Sequence, residues 1–75
     1  MDRNELLKVV DYLTEEKEKY LTLHNDCIRD RNRLIYEGKE GTFELYVVEQ
    51  RLAKCDGKIE LLIKYITKLK NDFNL

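Results

Sequence analysis

Residues 45–73 read LYVVEQRLAKCDGKIELLIKYITKLKNDF, and the spacing of their apolar members decides the fold. Leu45, Val48, Leu52, Cys55, Ile59, Leu62, Ile66, Leu69 and Phe73 alternate steps of three and four residues without a polar interruption. That is the a/d seam of a coiled coil, sustained for about four heptads. A strand would alternate at every second residue, so the segment reads as one long amphipathic helix. Gly57 is its weak point, costing about 1 kcal/mol against Ala. It falls opposite the seam and leaves the core closed.

Working outward, Glu37-Gly38-Lys39-Glu40-Gly41 is a short polar loop, and Thr42 beyond it is a natural N-cap, with Glu44 well placed in the first turn. Residues 3–36 contain neither Gly nor Pro. Their apolar residues recur seven apart, mostly as adjacent pairs: Leu6-Leu7, Leu13, Tyr20-Leu21, Cys27-Ile28 and Leu34-Ile35. This predicts a second long helix, begun by an Asp2/Glu5 capping arrangement and ended by Gly38. A loop this short makes the helices antiparallel. A consistent register then sets Leu34 by Leu45, Cys27 by Leu52, Tyr20 by Ile59, Leu13 by Ile66 and Leu6 by Phe73. The expected fold is all-α: one helical-hairpin domain over residues 1–75, with helices at about 3–37 and 43–73 and a loop at 38–41.

The chain has 75 residues, so it holds one domain at most. A globule of this size buries only about 60% of its unfolded surface and is marginal unless something staples it. The 14 Lys and Arg nearly balance the 15 Asp and Glu, which argues against a generic nucleic-acid or membrane-surface binder. No run approaches the roughly 18 apolar residues of a membrane span. The opening Met1-Asp2-Arg3-Asn4-Glu5 lacks the basic region and apolar core of a secretory signal. A cytoplasmic protein is expected.

Two helices bury one stripe each and leave its borders wet. On the first helix Val9, Tyr12 and Leu23 line up on one flank, and on the second Val47, Leu61 and Tyr65 do the same, with Ile63 on the other side. Grouped apolar residues either thicken the intramolecular core or mark a contact site. The second reading selects Val9, Tyr12, Leu23, Leu61 and Tyr65 as a partner-binding surface. Lys17, His24 and Arg31 form a row, seven apart, beside the apolar pairs. Either their stems cover the seam while their heads reach water, or they occupy it and select register or partner.

Little else suggests chemistry. The chain has no Ser, which removes serine-based catalysis, and a two-helix hairpin offers no pocket to a Cys-His pair. The register brings His24, Cys27 and Cys55 close together, but structural zinc needs four ligands in closely spaced pairs. No metal, no cofactor and no small-molecule substrate are expected, and both cysteines read as core residues rather than a disulfide. The Gly38–Gly41 loop lacks the Gly-Lys-Ser/Thr ending of a phosphate loop. Arg29, Arg31 and Arg33 alternate with Asp30 and Asn32, as on a solvated, salt-bridged helix face. Nucleic-acid binding is not expected.

The long first helix, the Gly38–Gly41 loop and the amphipathic run Leu52–Leu69, containing Tyr65-Ile66, carry a resemblance. In these features the chain resembles the smallest co-chaperones of bacterial type III secretion needle subunits. The resemblance implies a non-enzymatic role: such proteins pack against a larger helical-repeat co-chaperone, and the pair keeps the needle subunit from polymerising before export. It transfers no individual residue, because the family offers no fixed motif. The expected function is therefore a protein-binding module that stabilises a helical partner. The alternative is a homodimeric four-helix bundle with a structural or regulatory role.

Overall fold

The computed structural model describes residues 2–75 and consists of α1 (Arg3–Tyr36) and α2 (Phe43–Phe73) folded back on each other. Met1, at the edge of the expected domain span, lies outside the described residues. An all-α helical hairpin is what the heptads require, and each helix end shows why it stops there.

The Asp2 carboxylate accepts the Glu5 backbone N–H at 2.8 Å and so satisfies one of the free amides that open α1. At the other end the Gly38 N–H donates to the Ile35 carbonyl at 3.0 Å, and the Lys39 N–H donates to the Leu34 carbonyl at 2.9 Å. This paired closure needs a left-handed residue between the helix and the loop, and Gly38 supplies it at φ 73°. The Thr42 hydroxyl then works in both directions: it donates to the Lys39 carbonyl at 2.7 Å and accepts from the Leu45 N–H at 3.3 Å. One side chain thus ties the loop to the start of α2. Beyond Phe73, Asn74 turns left-handed at φ 55°, and the Leu75 N–H closes on the Lys70 carbonyl at 3.0 Å. Arg3 Nη1 reaches the Asn74 carbonyl at 3.4 Å, joining the open ends of the hairpin.

The seam of α2 is buried at Leu45, Val48, Leu52, Cys55 and Ile66, and half-buried at Ile59, Leu62 and Leu69. Phe73, expected to close the seam against Leu6, is instead 50% exposed, because the helix ends there with nothing beyond to cover it. The first helix departs further from expectation. Its adjacent apolar pairs do not share the seam: Leu6 and Leu34 are buried, while their neighbours Leu7 and Ile35 lie exposed beside it. Consecutive helical residues point about 100° apart, so only one of each pair can face the partner helix. The second seam column is Val10, buried, followed by Lys17, His24 and Arg31, all half-buried. Those three residues therefore occupy the seam and do not merely border it.

The buried residues form two groups, one running from the loop as far as Leu52 and Cys55 and one at the open end. Leu34, Leu45 and Val48 form a cluster near the loop with Cys27 packed on it, and Leu6, Val10 and Ile66 lie toward the open end. Between them, where Lys17 and Tyr20 face Ile59 and Leu62, no side chain is fully buried. The result is a rod of 54 × 14 × 14 Å with a radius of gyration of 16.7 Å. A globule of this length would have a radius of gyration of about 11 Å.

These placements predict opposite effects for two substitutions. Leu34→Ala removes the most deeply buried side chain and should cost about 3 kcal/mol. Gly57→Ala adds a Cβ that meets nothing within 4 Å and should gain about 1 kcal/mol. Urea unfolding followed by circular dichroism checks both: the midpoint falls for the first variant and rises for the second.

Candidate interaction surface

The seam divides the remaining surface into two flanks, and one polar contact across the helices fixes which residues share each. His24 Nε2 lies 2.8 Å from Asp56 Oδ1 across the helices. The α1 column beside Val10, Lys17, His24 and Arg31 therefore lies on the same edge as the α2 column containing Glu49, Asp56 and Ile63. That edge carries Leu7, Leu21, Ile28 and Ile35 from α1 with Ile63 from α2. We call it the aliphatic flank. The opposite edge carries Val9, Tyr12 and Leu23 with Val47, Leu61 and Tyr65, and is the tyrosine flank.

All five residues expected to form a contact surface lie on the tyrosine flank, and all are exposed, from 37% for Val9 to 62% for Tyr12. In the antiparallel register Tyr65 and Leu61 fall at heights between Tyr12 and Leu23. The five therefore form one strip about 20 Å long at about 1.5 Å per residue. The strip runs beside the part of the seam where Lys17 and Tyr20 leave the core unfilled.

Two further apolar regions escaped the heptad reading. The aliphatic flank escaped because the register pairs only Leu6, Tyr20, Cys27 and Leu34 with α2 and assigns no face to their neighbours Leu7, Leu21, Ile28 and Ile35. The loop end of the rod carries Ile35, Tyr36, Phe43 and Tyr46, with Tyr36 92% exposed. Phe43 and Tyr46 stack with ring centroids 6.2 Å apart and planes 25° apart. Beside them Gly41, Thr42, Leu45, Tyr46 and Glu49 line a shallow depression of about 300 Å³. The available signal was the position of Tyr36 and Phe43, which flank the loop off the heptad, where no second helix can cover them.

The chemically active side chains sit in the seam. Cys27 is half-buried, Cys55 is buried, and both are free thiols. Burial pushes the Cys55 thiol up from its ordinary value, and the neighbouring Cys27 and Asp56 push it further in the same direction. It is thereby held as a neutral thiol rather than a thiolate nucleophile. Among the described residues, no group of three His, Cys, Asp or Glu side chains is placed to hold a metal ion.

Iodoacetamide should therefore label Cys55 of the folded chain at mildly alkaline pH at least tenfold more slowly than in denaturant. The rate is read by mass spectrometry of the native and urea-unfolded protein, and equal rates would refute the burial argument. Comparison with protein-family models, curated proteins and solved structures finds no match to the chain.

Proposed function

We propose that the chain is a non-enzymatic protein-binding module that completes a helical bundle, stabilising a helical partner along its tyrosine flank. One observation carries this reading. The hairpin exposes 5812 Å² of accessible surface. A compact monomer of 9.1 kDa exposes about 4,900 Å². The excess of about 900 Å² is close to the roughly 800 Å² that each partner contributes to a standard protein interface. The half-filled middle of the seam and the strip of Val9, Tyr12, Leu23, Leu61 and Tyr65 beside it give that excess a place. Tyrosines at the centre of such a strip are the residue type that dominates interface energetics.

On the resemblance in loop and second helix, the partner is a helical-repeat co-chaperone of a type III secretion needle subunit, and the chain works in the cytoplasm. No helix of the described residues is long and apolar enough to cross a membrane.

The double variant Leu61→Glu/Tyr65→Glu tests the flank. Both side chains are exposed, so helical content by circular dichroism should be unchanged. Binding to the helical partner recovered with the tagged wild-type chain should weaken at least tenfold, by about 1.4 kcal/mol or more. Wild-type binding by a folded double variant would exclude this surface.

A further inference from the structure

The two thiols of the chain stand on opposite helices and enter the same stretch of the seam. His24 Nε2 meets Asp56 Oδ1 at 2.8 Å, which sets Cys55, the residue before Asp56, level with His24. Cys27 follows one turn later on α1 and packs on the cluster of Leu34, Leu45 and Val48. Three residues of helix separate the two levels, about 4.5 Å at about 1.5 Å per residue. The thiols therefore occupy neighbouring layers, and Cys27 is near enough to act on the ionisation of Cys55. Both are free, and they differ in access: Cys27 is half-buried and Cys55 is buried. The layers on the open-end side of His24 are the unfilled ones at Lys17 and Tyr20, which gives the helices room to take up the offset. The chain holds no other cysteine.

We propose that Cys27 and Cys55 form a peroxide-driven staple, a disulfide that closes across the seam and turns a marginal hairpin into a stable one. The staple works within the hairpin and is independent of what the tyrosine flank binds. The more accessible Cys27 reacts first. Its thiolate, having released a proton to water, attacks one oxygen of a peroxide. The O–O bond breaks, the other oxygen leaves and takes up a proton, and Cys27 becomes a sulfenic acid. The Cys55 sulfur then attacks the Cys27 sulfur, the S–O bond breaks, and the hydroxyl leaves as water with the Cys55 proton. Two thiols are oxidised to one disulfide, and one peroxide is reduced. Burial suits Cys55 to the second step alone, because it is kept as a neutral thiol away from the solvent oxidant. The bridge closes a loop that contains the Gly38–Gly41 turn, and it restricts the unfolded chain. A domain this small is short of core, so a cross-link is the kind of support it lacks.

Hydrogen peroxide added to the purified full chain at submicromolar concentration tests the staple. The intact mass should fall by two hydrogen atoms, and the product should run as a monomer without reductant. A tryptic digest should contain peptides joined through Cys27 and Cys55. The unfolding equilibrium constant in urea should drop at least tenfold and recover with dithiothreitol. Cys55→Ala should stop at a Cys27 sulfenic acid, trapped by dimedone, whereas Cys27→Ala should leave Cys55 reduced under the same exposure. Over-oxidation of Cys27 beside a reduced Cys55 in the wild type would overturn the proposal, as would a bridge between two chains. A bridge that forms without any gain in stability would overturn it too.

Discussion

The structure depends on the composition of a single column of side chains. At every second layer of the seam, α1 presents Val10, Lys17, His24 and Arg31 in turn. The facing residues of α2 are apolar throughout. The layers through Leu34 and Leu45 near the loop pack as a core, whereas those through Lys17 and His24 hold long or polar side chains whose heads must reach water or a counter-charge. Dry burial of these charges would cost more than their pairing returns, so the helices cannot close fully around them. The hairpin's length, its unfilled middle and its surplus surface all follow.

The polar column also gives the hairpin direction. The His24–Asp56 pair fixes which edges of the helices share a flank, and the two flanks then differ in kind. One carries Tyr12 and Tyr65 among its apolar residues, and the other carries Leu7, Leu21, Ile28, Ile35 and Ile63 beside the Lys17, His24 and Arg31 column. A uniformly apolar seam would pack more tightly but leave little to distinguish one side of the rod from the other. Polar residues at seam positions commonly trade stability for a defined register or partner. Lys17, His24 and Arg31 fit that role.

Most of the fold was legible in the sequence. The unbroken heptads of α2, the Thr42 cap and the glycines of the loop each have a local physical cause, and each element appears where that cause puts it. The seam of α1 was less legible at one of its two columns, because after Val10 that column continues through Lys17, His24 and Arg31, which carry no apolar signal. The antiparallel register chooses Leu6 over Leu7 and Leu34 over Ile35, and their burial agrees. The requirement that one face meet α2 along its whole length adds Val10 to them. The exposed strip of Val9, Tyr12, Leu23, Leu61 and Tyr65 could be read from helical angles. The aromatic loop end could not, since Tyr36 and Phe43 belong to no repeat, and their exposure follows from the absence of any neighbour at the tip.

The polar column of α1, and not helix length, is what leaves the hairpin incomplete. The most direct measurement is the unfolding free energy of Lys17→Leu/His24→Leu/Arg31→Leu, taken by urea titration at submicromolar concentration where association is minimal. Apolar side chains at these half-buried positions should raise it by about 2 kcal/mol or more relative to wild type. An unchanged or lower value would show that the column costs the fold nothing.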